Sequence, residues 1–178
     1  DLQGLSLKNV EASLIAEQGG KWRKIASEFG EMLLTHFGLS GPIILTLSRA
    51  ARELLKKGPV SISIDLKPAL SEEQLHARLI RDFAKPKKFC NYTRELMPRL
   101  LADLFPTLCK IDPHKPVNSV TAEERARIVG TLKDFRFTVT GLGSLEEAIV
   151  TAGGVTIGEI DPRTMMSKLV TGLFFAGE

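Results

Sequence analysis

Three short segments concentrate residue types that could meet a ligand. In Thr35-His36-Phe37-Gly38-Leu39-Ser40-Gly41-Pro42, a histidine, a serine and two glycines precede a proline where an apolar strand pattern gives way to a helical one. A helix N-terminus there, with free N–H groups and Ser40 beside it, could face an anion or the edge of a flat ring. The same residues also make an ordinary helix start, with Ser40 as N-cap, Pro42 in the first turn and His36 hydrogen-bonded to backbone. The second segment is Val150-Thr151-Ala152-Gly153-Gly154-Val155, where two adjacent glycines allow positive φ or close approach of the backbone to a bulky group. A bulge or hairpin turn would use them equally well. The third is the run Gly172-Leu173-Phe174-Phe175-Ala176-Gly177-Glu178, which by itself reads as a buried strand ending in Gly.

Other patterns carry less. Gly141-Leu142-Gly143-Ser144-Leu145-Glu146 matches only the first half of a dinucleotide fingerprint, since Glu146 stands where the last glycine belongs. Cys90 and Cys109 have neither CxxC nor paired-histidine spacing, so they read as buried free thiols and no metal site is expected. His76 lies beside Leu75 on a predicted helix as a surface or boundary residue, and His114 sits in the Pro113–Pro116 loop. The 24 basic and 21 acidic residues are interleaved, which reads as solvated faces and not as a nucleic-acid or membrane surface. No apolar run approaches the ~20 residues that a membrane span needs, and no signal peptide is visible, so a cytoplasmic location is expected.

Positioning these segments requires an α+β fold, with a β-rich, barrel-like lobe interrupted by a small helical lobe. Leu5, Leu7, Val10, Ala12, Leu14 and Ala16 alternate, with one break around Lys8-Asn9, and Gly19-Gly20 offers a hairpin turn into a return strand from Trp22 to Phe29. Ile43, Leu47, Ala50, Ala51, Leu54 and Leu55 share a helical face that ends at Lys56-Lys57-Gly58. Val60, Ile62, Ile64 and Leu66 alternate as a half-buried strand. Residues 1–67 are thus the first part of the β-rich lobe. Residues 68–133 read as three or four short helices, with capping boxes at Ser71/Gln74 and Thr121/Glu124 and a break at Pro98. Residues 134–166 return to β-structure from Phe135, with Leu145–Val150 readable as a helix start or a strand, and residues 167–178 begin a further segment.

Taken in order, GEMLLTHFGLSGP (Gly30–Pro42), VTAGGVTIGEIDPRTMMSKLV (Val150–Val170) and GLFFAGE (Gly172–Glu178) are similar to bacterial NAD(P)/FAD-dependent oxidoreductases of the aminoacetone-oxidase-like flavoprotein family. Most of the chain fits. The resemblance implies an insertion domain that splits a Rossmann-type FAD domain and covers the flavin and the substrate pocket. By the same resemblance, Thr151, Ala152, Gly153, Gly154 and Val155 would approach the flavin ring. Ala176, Gly177 and Glu178 would lie where the chain re-enters the FAD domain, and His36, Ser40 and Gly41 would face the substrate side. One departure is Met165-Met166-Ser167-Lys168, where the family pattern leads one to expect an acid at Met166.

A strand–GxGxxG–helix element that would hold the FAD diphosphate is missing from this sequence. The expectation is therefore a fragment, inactive alone and not binding FAD by itself, whose partners are the missing FAD-binding domain of the same polypeptide and a small-molecule substrate. Two other classes compete with this reading. The helical lobe, with Lys85, Lys87, Lys88, Arg94 and Arg99, could be a nucleic-acid-binding module, testable through its salt dependence. It could also be an oligomerisation domain. No catalytic residue can be named from the sequence.

Overall fold

The computed structural model describes residues 2–144, 146, 148 and 153–177, which form two compact units, Asp1–Leu142 and Gly143–Glu178. The first unit is built on a five-stranded antiparallel sheet, the barrel-like lobe of an α+β fold, in the order Leu39–Ser40 (β3), Lys21–Leu34 (β2), Ser6–Gln18 (β1), Val60–Asp65 (β4) and Phe135–Val139 (β5). Strands β1 (Ser6–Gln18) and β2 (Lys21–Leu34) form a long hairpin. Its turn needs two successive left-handed residues, which Gly19 (φ 61°) and Gly20 (φ 75°) provide without steric cost. The break read at Lys8-Asn9 is a β-bulge. Asn9 adopts φ 55° and the register shifts between Leu7 and Val10.

Strand β3 (Leu39–Ser40) pairs antiparallel with the end of β2, and helix α1 (Pro42–Leu55) then crosses back, burying Ile43, Leu47 and Ala51 at the helical spacing seen in the sequence. Strand β4 (Val60–Asp65) lies on the other side of β1, its Val60, Ile62 and Ile64 buried in one apolar cluster with Ala12 and Leu14. Strand β5 (Phe135–Val139) pairs with β4 from Ile64↔Phe135 to Val60↔Val139. Among the described residues no strand follows Val139, only a 3₁₀ turn at Ile157–Glu159 and isolated bridges.

The helical lobe leaves the sheet after β4 and returns into β5. It comprises α2 (Glu72–Asp82), α3 (Phe89–Leu96), α4 (Arg99–Cys109) and α5 (Ala122–Lys133), with a 3₁₀ turn at Val117–Ser119. Both capping boxes form: the Ser71 and Thr121 hydroxyls accept from the backbone N–H of Gln74 and Glu124, whose side chains accept from the cap N–H groups. Pro98 ends one helix and caps the next, as its missing N–H and fixed φ require. At the neck, Leu66 N–H donates to the Leu132 carbonyl (2.8 Å), and the Lys133 ammonium pairs with Asp65 while donating to the Leu70 carbonyl (2.8 Å).

Three local readings are corrected. Ser40 does not cap α1: it belongs to β3, and Gly41 holds the cap position. Cys90 is half-buried and only Cys109 is fully buried, its thiol pushed up to about 11 by burial. The Gly172–Gly177 run is not a strand. Phe174 makes a single bridge to Met166, and Leu173 and Phe174 are exposed.

Candidate functional site

The Thr35–Pro42 segment is a tight hairpin tip followed by a close crossing. Thr35 N–H donates to the Gly38 carbonyl (2.7 Å), Thr35 Oγ1 donates to the same oxygen (3.0 Å), and Gly38 N–H donates back to Oγ1 (3.2 Å). His36 and Phe37 stand exposed at the tip with their rings edge-to-face at 5.0 Å. Gly41 is explained by backbone geometry: it sits at φ 95°, and a Cβ there would lie 2.9 Å from Met32 Cα and 3.1 Å from Leu33 N. Gly30 does the same for the other partner, since a Cβ on it would meet Ile43 Cγ2 at 2.9 Å. These glycines let the first turn of α1 lie directly on β2, with the Gly41 carbonyl accepting from Ile44 (3.1 Å) and Leu45 (3.0 Å). Ser40 is half-buried, so the exposed polar group that the hairpin offers a ligand is the His36 imidazole.

In the second unit, Gly153 (φ 119°) and Gly154 (φ 118°) lie in an exposed stretch where a Cβ would meet nothing within 4 Å, and Val155 is also exposed. The backbone there is bare and open on one side. Thr151, Ala152 and Glu178 lie outside the described residues, as does most of Leu145–Val150. Ala176 and Gly177 are exposed, Gly177 at φ 140°. Between the glycines and this end, the chain folds on itself through side chains that cap turns. Ser167 Oγ accepts from Leu169 and Val170 N–H (both 3.1 Å), and Asp161 Oδ1 accepts from Arg163 N–H (2.9 Å). The Lys168 ammonium donates to the Gly158 carbonyl (2.8 Å). Met166, where an acid was expected, is half-buried and its backbone bridges Phe174. No α-helix starts after the glycines among the described residues, so no row of free N–H groups awaits a diphosphate.

Two features were not legible as sites. The first is an exposed set of large apolar side chains on and beside β2, including Trp22, Phe29 and Phe37, with Arg136 placed 5.9 Å over the Trp22 ring. Their alternation marked a strand but not which face would stay uncovered. The second is a hollow of about 300 Å³ between α2 and α3, lined by Arg78, Arg81, Asp82, Lys85, Lys87 and Tyr92 among others. Of the five cations singled out in the helical lobe, only Lys85 and Lys87 reach it. Arg94 and Arg99 turn to Asp103 (2.8 and 3.8 Å), and Lys88 is the exposed residue preceding α3. Asp82 accepts from the Tyr92 hydroxyl (3.2 Å) and Arg78 Nε (3.4 Å). Burial, then the Asp82 charge, raises the Tyr92 phenol beyond its ordinary range.

Among the described residues there is no cluster of three or more groups able to hold a metal, and no helix long and apolar enough to cross a membrane. Residues 1–150 match the family described as the HI0933-like protein barrel and H2TH domain. The chain is 30% identical to the ribosomal RNA dihydrouridine synthase of Escherichia coli (strain K12), an alignment covering 100% of the chain and 41% of that protein. It is 26% identical to the 3-dehydro-bile acid delta(4,6)-reductase of Clostridium scindens, over 86% of the chain and 38% of that protein. A ribosomal RNA dihydrouridine synthase of Haemophilus influenzae is 27% identical, over 85% of the chain and 36% of that protein. The chain therefore spans about two fifths of the length of these curated relatives.

Proposed function

This chain belongs to the family of the HI0933-like protein barrel and H2TH domain, and from that premise we propose that it is the substrate-side part of a flavin-dependent reductase acting on ribosomal RNA. The observation that carries this reading is the match along the whole chain to a ribosomal RNA dihydrouridine synthase. The names of the relatives describe one kind of chemistry on different substrates, the addition of hydrogen across a carbon–carbon double bond. Dihydrouridine differs from uridine in that way, and a delta(4,6)-reductase removes double bonds of a bile acid skeleton. One fold serving such different substrates is ordinary, since specificity lives in the site and not in the architecture.

In this reading the FAD is held mainly by the rest of a longer polypeptide, with the open Gly153-Gly154 backbone as a rim approaching it. The hairpin carrying His36 and Phe37 faces the substrate. An exposed aromatic pair at a loop tip suits an unstacked base, because every base has a flat face on which an aromatic ring can stack. NAD(P) is the proposed source of electrons, and the rest of the polypeptide is the proposed structural partner of this chain.

The test is made on the natural full-length gene product. It is expected to purify with a flavin's visible spectrum, and deleting its gene is expected to remove a dihydrouridine from ribosomal RNA, read as the loss of a two-hydrogen mass gain in digested nucleosides. A colourless protein that cannot be reconstituted with flavin would overturn the reductase reading. A flavoprotein whose deletion leaves every ribosomal dihydrouridine in place, yet which reduces unsaturated steroids, would move the substrate to the second class of relative.

A further inference from the structure

Between Gln74 and Arg94 the sequence holds six basic residues and one acid, whereas the whole chain has a surplus of only three positive charges. The fold draws four of the six, Arg78, Arg81, Lys85 and Lys87, around the hollow between α2 and α3. A second hollow of about 510 Å³ adjoins it along α2, sharing Arg78, Arg81 and Asp82 and bounded by Leu70, Gln74 and Ala77. The two make one trough along the flank of α2.

The charges in the trough do not cancel. Asp82 serves both Arg78 (3.4 Å) and Arg81 (3.6 Å), and Glu95 is taken by Lys87 (2.6 Å). Lys85 is exposed and has no acidic partner among the described residues. Lys67 donates to the carbonyl of Leu96, one of the lining residues (2.8 Å), in a half-buried position where burial and then the nearby Arg78 charge hold its ammonium below the ordinary lysine range. A ligand that delivers negative charge along the trough would relieve this repulsion. An apolar ring system would cover part of these walls but leave the guanidinium and ammonium groups of Arg78, Arg81, Lys85 and Lys87 without added counter-charge.

We propose that this trough docks the sugar–phosphate backbone of folded RNA, with Arg81 and Lys85 on the phosphates and Arg78 and Tyr92, tied together through Asp82, fixing the wall behind them. The proposal deepens the reading above and rests on it for the class of polyanion, because an acidic polypeptide would meet the same cations. Its open length fits a strand running past several cations better than a single enclosed phosphate. Guanidinium and ammonium groups on successive phosphates position the strand without reading its bases. That division of labour leaves base recognition to a separate part of the molecule.

The test uses the 178-residue chain, protein-free ribosomal RNA as the probe, and polyglutamate as a competitor. The variant Arg81→Glu/Lys85→Glu is compared with Arg49→Glu/Lys57→Glu, which makes the same change in net charge at exposed positions of α1 and its end. Equal thermal melts establish that both fold. The trough variant is expected to bind at least about tenfold more weakly near physiological salt, and to lower the slope of log affinity against log salt by about two. The α1 variant is expected to stay within about twofold of the natural chain. Equal loss in both variants, no loss in either, or displacement of the RNA by polyglutamate at equal charge would overturn the proposal. The assay contains no flavin, so the two readings fail separately. A full-length flavoprotein whose RNA binding ignores Arg81 and Lys85 sinks the trough alone, and a flavin-free protein that binds RNA through them sinks the reductase reading alone.

Discussion

Gly41 is where a single residue type decides whether the Thr35–Pro42 segment can fold as it does. Its φ of 95° is disfavoured for any L side chain, and the nearest obstacle to a Cβ is backbone, Met32 Cα at 2.9 Å, which cannot swing aside as a side chain could. Gly41→Ala is expected to destabilise the fold by at least about 2 kcal/mol, read as a lower midpoint in urea with an unchanged slope. An unaltered midpoint would mean that the start of α1 does not lie against β2 as described. Gly30 differs, because its obstacle is the tip of the Ile43 side chain, which has more freedom to give. The motif Thr35–Pro42 thus showed in the sequence that something unusual occurs there. It could not show that the glycines answer to a backbone crossing, or that His36 and Phe37 stand exposed while Thr35 and Ser40 are half-buried.

At the scale of elements, the neck between sheet and helical lobe determines whether the lobe is held in place or merely tethered. Asp65 and Lys133 are each less than one-fifth exposed, and Lys133 also reaches the Leu70 carbonyl, so one side chain joins the end of β4, the entry to α2 and the end of α5. Asp65→Asn would leave the ammonium half-buried without its counter-charge, an expected cost of about 2 kcal/mol, or roughly 4–8 °C in melting temperature. The double change Asp65→Asn/Lys133→Met removes the orphaned charge as well and is expected to recover most of the loss. If the single and double changes cost the same, the pair does not act as a clasp. The helices themselves were readable because their signals are local: the two capping boxes, Pro98 and the apolar spacing of α1 all act within a few residues. The neck was not readable, because Asp65 and Lys133 are far apart in sequence and neither carries a local signature.

For the molecule as a whole, the division falls at Leu142. The apolar cluster that the sheet and helices share draws its members from Leu2 to Val139. Residues 1–142 are therefore expected to fold as a cooperative unit when produced alone, with near-native far-ultraviolet dichroism and a single melting transition. A chain cut at that point that stays unfolded or aggregated would show that the second unit is required for the first to form. The second unit is held differently: turn-capping side chains such as Ser167 and Asp161 order it, none of its apolar side chains is buried among the described residues, and the segments expected to approach a cofactor lie on it or outside the described residues.

What the sequence determined by itself was the class of the longer strands and of the helices, and the family resemblance. Alternation in β1 and β4, the Gly19-Gly20 turn, the helix caps and the three ordered motifs act over short distances and do not depend on where the rest of the chain goes. What only the tertiary structure decided was which charges share a space. Lys85, Lys87, Arg94 and Arg99 read as one basic group along the chain, yet the turn between α2 and α3 sends the first two to Arg78 and Arg81, while Asp103 draws the others away. Electrostatic potential depends on distance in space, and sequence spacing fixes that distance only within an element.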